Sequence, residues 1–209
     1  MPQNNKYPVT LDIDYSEKSD RLTAFFRIIL AIPILIILGL VSGYENIDEN
    51  TANAVKWSVA AGGIIVVPTL LMILFRQKYP KWWYNWNLEL TKFCTRVGAY
   101  LFLLRDEYPS TDEEQAVHIN IPYPNVKKDL VNWMPLVKWL LAFPHVIVLG
   151  FLWIGAIIAI ILAWFAILFT GTHPKGIFDY IVGVMRWSLR VEAYALLLTT
   201  DEYPPFSLK

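Results

Sequence analysis

Residues 133–170 read WMPLVKWLLAFPHVIVLGFLWIGAIIAIILAWFAILFT, 38 residues in which Lys138 is the only formal charge. A membrane helix needs roughly 17–25 residues at about 1.5 Å of rise each. The run is too long for one span unless the helix is steeply tilted. It fits two short spans, near Trp133–Gly150 and Trp153–Thr170, joined by a tight turn. One long tilted helix, or a re-entrant hairpin that never crosses, are the alternatives. Two further runs fit one span each. Leu22–Gly43 contains Arg27 alone, and Val55–Arg76 carries charge only at Lys56 and Arg76. The expectation is therefore four spans.

Composition agrees. Of 209 residues, 56% are hydrophobic, 15% aromatic and 17% charged, with a mean hydropathy of +0.40. Soluble domains average about 45–50% apolar and about 25% charged. So much apolar surface excludes intrinsic disorder. Cys94 is the single cysteine, so no intramolecular disulfide exists. The 18 Lys+Arg balance 18 Asp+Glu, which argues against a nucleic-acid partner. The segment before the first span carries Asp12, Asp14, Glu17 and Asp20, unlike the basic n-region of a signal peptide, so a retained anchor is expected.

The chain repeats itself. Leu30-Ala31-Ile32-Pro33 matches Leu141-Ala142-Phe143-Pro144 at an offset of 111, which also aligns Arg27 with Lys138 and Gly39 with Gly150. Ile73-Leu74-Phe75 matches Ile167-Leu168-Phe169 at 94, as do Pro80 and Pro174, Arg96 and Arg190, Tyr100 and Tyr194. Each half ends Asp-Glu-Tyr-Pro, at Asp106–Pro109 and Asp201–Pro204. The fall in offset from 111 to 94 places about 17 extra residues between the first two spans, the region in which Tyr44–Ala54 lies. Residues 1–109 are read as one repeat, 110–115 as a polar linker and 116–209 as the second repeat.

Each repeat reads strand, two spans, then a third helix. Val9, Leu11 and Ile13 alternate with Thr10, Asp12 and Asp14, and Val117, Ile119 and Ile121 repeat the pattern. Such short strands are marginal alone, so the two either pair or lie on the membrane-proximal surface. Two spans per half bring both repeats in from the same side, as parallel repeats about the membrane normal. The loop Tyr44–Ala54 holds Glu45, Asp48 and Glu49 and no Lys or Arg. The positive-inside rule then places both termini in the cytoplasm and the chain in a cell's inner membrane. Trp57 and Trp153 are expected at the outer interface, and Trp82, Trp83, Trp86, Trp133 and Trp187 at the inner one.

In the last helix, Asp179, Gly183, Arg186 and Arg190 fall on one narrow stripe at helical spacing, and Asn85, Glu89, Lys92 and Arg96 occupy the same stripe in the first half. Apolar residues surround both. A basic amphipathic helix beside membrane spans reads as interfacial. Lys92, Arg96, Arg186 and Arg190, with Trp82, Trp83 and Trp187, are the candidate contacts to anionic headgroups or to a partner. The competing reading is a solvated or internally paired stripe, for example Arg190 with Asp201 or Glu202.

Arg27 and Lys138 lie about a turn inside their spans, close enough to the end for their stems to snorkel. Pro33 and Pro144 are expected to kink the first helix of each half. His145 is read as a helix–helix hydrogen-bonding group. His118, His145 and His173 have no metal-ligand spacing. Phosphate loops and nucleophile elbows are missing. No catalytic residue, cofactor or metal is assigned. An enzyme would have to rest on Glu192, Asp201 and Glu202.

The second half runs Leu136-Val137-Lys138-Trp139-Leu140-Leu141-Ala142-Phe143-Pro144-His145, then Trp164–Gly171, then Arg186-Trp187-Ser188-Leu189-Arg190-Val191-Glu192-Ala193-Tyr194, and closes Asp201-Glu202-Tyr203-Pro204-Pro205-Phe206. This resembles the prokaryotic membrane family catalogued as domain of unknown function 4389 over nearly all of 116–208. The first half follows the pattern more loosely, with Gly98 where the second has Glu192. The resemblance implies a membrane location and carries no activity.

The sequence thus predicts an all-α integral membrane fold. It comprises two tandem repeats of a transmembrane helical hairpin plus an interfacial amphipathic helix, with one short cytoplasmic β-strand per repeat. The expected role is a non-enzymatic accessory or scaffold subunit of a larger membrane complex, bound to lipids, to other subunits or to copies of itself. The alternative is a small lipid-binding or transport protein using the basic stripes.

Overall fold

The structure, a computed structural model, describes residues 7–42, 61–111, 113 and 115–209. The elements are β1 (Thr10–Ile13), α1 (Arg21–Ser42), α2 (Ala61–Arg76), α3 (Lys81–Leu101), β2 (Val117–Asn120), α4 (Val126–Asp129), α5 (Met134–Thr170) and α6 (Lys175–Ala195). The acidic outer loop expected at Tyr44–Ala54, with Lys56 and Trp57, lies outside the described residues.

The two strands pair. β1 and β2 form an antiparallel ribbon in which Leu11 faces Ile119 and Asp12 faces His118. Alternation puts Val9, Leu11, Ile13, Val117 and Ile121 into the main core, against Ile181, Val182, Met185 and Leu189 of α6. Asp12, Asp14, His118 and Asn120 face outward. A two-stranded ribbon is unstable by itself. Here the α6 side chains supply the missing apolar surface.

The expected turn between two short spans at 150–153 does not occur, and this corrects the hairpin predicted for the second half. Residues 134–170 form one helix of 37 residues, about 55 Å long. Pro135 opens it and Gly171, at φ 74°, closes it with its N–H on the Ile167 carbonyl. The physical reason is backbone hydrogen bonding: a break amid apolar side chains would strand N–H and C=O groups with no partner. Pro144 and Gly150 are accommodated inside the helix. Lys138, Ala142, His145, Leu149, Ala156, Ala163 and Ile167 form one buried stripe along its whole length. The remaining surface is apolar and exposed from Leu136 to Phe169.

α1 has the same character, burying Ala24, Arg27, Ala31 and Ile34 and exposing Phe25, Ile28, Ile29, Ile32 and Ile36. Among the described residues, two helices are long and apolar enough to cross a membrane, Arg21–Val41 and Met134–Thr170. Only 22% and 17% of their most apolar windows are buried, whereas the core helix of a soluble domain is covered all round. α2 contributes a shorter apolar helix.

Three layers result. α1 and α5 lie outermost, α1 along α3 and α5 along α6, and the ribbon covers the far side of α3 and α6.

Candidate functional site

The polar chemistry gathers where the outer helices meet α3 and α6. At one place the buried Arg27 guanidinium pairs with Asp106 and donates to the Tyr100 carbonyl at 3.0 Å. Its carbon sits 4.4 Å from the centre of the Tyr100 ring. At the other, the Lys138 ammonium, fully buried, pairs with Asp201 at 2.7 Å and donates to the Thr200 carbonyl at 2.7 Å. It lies 5.1 Å from the centre of the Tyr194 ring. Tyr100 packs edge-on against Tyr108 at 5.7 Å, and Tyr194 against Tyr203 at 5.9 Å. Both sites use the residues that the sequence offsets aligned. Both also follow the same helix ending, with Leu103 and Leu198 in the left-handed region at φ 64° and 56°. Neither cation snorkels to a surface. Each bonds the chain that leaves the neighbouring helix, so the Asp of each Asp-Glu-Tyr-Pro turn is a counter-ion as well as a turn residue.

Next to each ion pair the same positions pack. Ala31 and Ile34 meet Phe93, Val97 and Tyr100. Ala142 and Leu149 meet Trp187, Val191 and Tyr194. In the second set His145 replaces the isoleucine, and its Nδ1 accepts the Trp187 indole N–H at 3.1 Å. Phe206 stacks on the imidazole at 4.0 Å and Tyr203 lies 4.7 Å away. His145 is thus a helix–helix hydrogen-bonding group, as its sequence context suggested.

The basic stripe is turned inward. Arg186 donates to the Leu11 carbonyl at 2.8 Å and the Leu208 carbonyl at 3.1 Å, with Asp12 at 3.7 Å. Arg190 is buried. It donates to the carbonyls of Ser207 and Lys209, and its guanidinium lies 5.9 Å from the Tyr7 ring. Of the expected partners, Asp201 is engaged with Lys138, and Glu202 meets this region through its main-chain carbonyl, which accepts the Tyr7 hydroxyl at 3.2 Å. Burial beside Arg186 lowers the Arg190 pKa from its ordinary value. The C-terminal tail crosses α6 at Gly183, where an added Cβ would meet Leu208 Cβ at 2.9 Å. Arg96 is buried and donates to the Ser110 carbonyl at 3.1 Å, and Lys92 pairs with Glu89 at 2.7 Å. Trp187 is 5% exposed, which corrects its expected place at an interface. Trp83 is half-buried, with its indole on the Thr69 hydroxyl at 2.8 Å. Trp82 alone of the expected aromatic contacts stands clear, 69% exposed.

Glu192 is partly buried where α6 faces α3, close to Thr91 and Cys94. Burial pushes its carboxyl up to about 7, against the Thr91 hydrogen bond. Burial, then Glu192, push the Cys94 thiol up to about 11, so it is no thiolate nucleophile at neutral pH. Two clefts flank the ribbon. One of about 450 Å³ is lined by Asp12, Lys175, Asp179, Arg186 and Lys209, and one of about 210 Å³ by Asp12, Lys92, Arg96, His118 and Asn120. Each mixes both signs of charge. Among the described residues no cluster of His, Cys, Asp or Glu could hold a metal ion.

The second ion pair and its aromatic surround lie wholly within a recognised unit. Residues 133–207 match the model of a domain of unknown function, DUF4389. The DUF4389 match takes in Lys138, His145, Trp187, Asp201, Tyr203 and Phe206, and stops short of the corresponding cluster at Arg27. No curated protein and no solved structure matches the chain.

Arg27, Lys138 and the two Asp-Glu-Tyr-Pro turns stand out in the sequence, but their bonding to each other appears only in the fold. The aligned positions were the available signal: an invariant cation and an invariant Asp at fixed places in both halves.

Proposed function

We propose that this chain is a non-enzymatic scaffold or accessory subunit seated on the cytoplasmic side of an inner membrane, built from two copies of one unit. The observation that carries it is the apolar, mostly exposed outer layer of α1 and α5, backed by a layer whose charges are tied internally. Such a surface demands an apolar environment. The duplicated unit is supported by the paired Arg27–Asp106 and Lys138–Asp201 sites and by one strand from each half in the ribbon. Termini on one side are supported by Tyr7 and Lys209, which both meet Arg190. Balanced, internally bonded arginines favour support of a neighbour over capture of a soluble anion. The test is mild extraction from native membranes followed by mass analysis of the intact assembly. A stoichiometric protein partner is the expected result. A chain that leaves the membrane without protein and with one lipid class bound overturns the scaffold in favour of lipid handling.

A further inference from the structure

The outer helices, α6 and the ribbon are stacked side by side, and this fixes how the chain meets a bilayer. Three rungs join α5 to α6. The Lys138 ammonium lies 5.1 Å from the Tyr194 ring, the Trp187 indole N–H bonds His145 at 3.1 Å, and the Tyr180 hydroxyl bonds the Leu152 carbonyl at 2.9 Å. The two helices therefore run antiparallel for about four turns. Three more rungs join α6 to the first strand and the residues beside it. Tyr15 packs on Phe178 at 5.0 Å, Arg186 bonds the Leu11 carbonyl at 2.8 Å, and Arg190 lies 5.9 Å from the Tyr7 ring. The strand's line thus follows α6, which follows α5.

If α5 stood upright through a bilayer, α6 and the ribbon would stand upright beside it. Arg186 precedes Trp187, so Asp12 would sit level with the residues just after His145, about 6 Å inside the hydrocarbon for a centred helix. Its neighbours there would be Asp14 and His118, all three exposed on the outer face of the ribbon. Charged groups facing lipid at that depth are strongly disfavoured, and the ribbon edges would lose water as a hydrogen-bond partner. Length points the same way. A helix of 37 residues spans about 55 Å against a hydrocarbon core of about 30 Å. Its buried stripe stays on one side from Lys138 to Ile167, and its apolar arc stays on the other from Leu136 to Phe169.

We infer that α5, with α1 beside it, lies along one leaflet of the bilayer, apolar arc in the lipid, and does not cross; α6 is a spacer that holds the ribbon in the cytoplasm. This deepens the membrane-seated reading and rests on it. The occupant of the arc is lipid, because the arc carries no charge over its length and is too long to be covered as an upright span.

The test uses the full chain with Cys94→Ser, reconstituted in nanodiscs of phosphatidylcholine and phosphatidylglycerol. Single cysteines replace the exposed Phe143, Ile154, Phe165 and Asp12, each carrying a nitroxide whose depth is read from collision with oxygen and with a water-soluble nickel chelate. The expected result is that the three α5 positions share one depth to within about a helical turn of 5 Å, with Asp12 in water. A profile in which Ile154 is deepest and the two ends approach opposite headgroup layers overturns the inference and leaves the membrane reading standing. Nickel access at all three α5 positions overturns that reading as well. Oriented circular dichroism of the unsubstituted chain in stacked bilayers needs no substitution. Retention of the band polarised along the helix axis supports the in-plane arrangement, and its loss refutes it.

Discussion

The Arg27 site and the Lys138 site are built on one plan and differ in how completely they are closed. Each Asp accepts one backbone N–H, Asp106 that of Asp20 at 2.8 Å and Asp201 that of Val131 at 2.7 Å, but Asp106, the partner of Arg27, keeps 28% of its side chain exposed, whereas Asp201, the partner of Lys138, keeps 15%. In the second half the outer helix continues past its glycine, so that Leu152 and Trp153 reach Tyr180 and Ser188 of α6. The C-terminal tail then closes over Arg190 and Gly183. In the first half Trp86, in line with Tyr180 by the sequence offset, remains exposed, as does Trp82 one turn before it. An ion pair with the same geometry is therefore worth different amounts, because water can reach one counter-ion more easily than the other.

The comparison can be broken most sharply at Lys138. Replacing it by Met leaves Asp201 without its cation, and such a loss typically costs about 3–5 kcal/mol. Arg27→Met is expected to cost measurably less, because Asp106 can rehydrate. Denaturant titration of both variants in mild detergent decides it, and equal losses would show that exposure does not grade the two sites.

The α3–α6 contact is next. A carboxyl held at about 7 in the folded chain, above its ordinary value of about 4.3, favours the folded state below that ordinary value. The advantage is lost as pH rises through 7. Glu192→Gln should accordingly stabilise the protein by up to about 3 kcal/mol at pH 8 and leave it nearly unchanged at pH 4. Thermal melts across that range test the sign. The corresponding first-half residue is Gly98, where no such pH dependence can arise.

A smaller effect is expected from Gly183→Ala. The new Cβ would press on Leu208 at 2.9 Å, and overpacking of this kind costs about 1–3 kcal/mol. The first half has Glu89 at the aligned position, with its side chain free to pair with Lys92. Faster proteolysis of residues 203–209 in the Ala variant is the expected readout; an unchanged tail would mean that it bends without loosening.

The mildest change converts one half toward the other. Trp187→Phe alone removes the bond to His145 and should cost about 1–3 kcal/mol, since a buried nitrogen loses its donor. His145→Ile with Trp187→Phe restores the apolar pairing of Ile34 and Phe93 and should recover part of that loss. A double-mutant cycle by thermal unfolding measures the recovery.

Much of this architecture was legible beforehand. Strand alternation at Val9, Leu11 and Ile13, the apolar runs, and the aligned Arg27 and Lys138 are properties of residue order, and the described elements follow them. That α5 runs unbroken past Gly150 was not legible, because apolar periodicity alone does not distinguish a break from a continuous helix. The Arg186 and Arg190 stripe misled for a related reason. Spacing of three and four places residues on one face and says nothing about what covers that face.

The sequence by itself determined which residues are apolar enough to demand a nonaqueous neighbour, where the two strands lie and how their residues alternate, and that two separated stretches share one pattern. Those depend on side-chain chemistry and local period, which read directly from residue order. Only the tertiary structure decided that β1 pairs with β2, that the tail closes on Arg190, and that each buried cation takes the Asp of the turn beyond the neighbouring helix. Those contacts join residues far apart in the chain. Their strength comes from the exclusion of water around both partners, which exists only once the layers have packed.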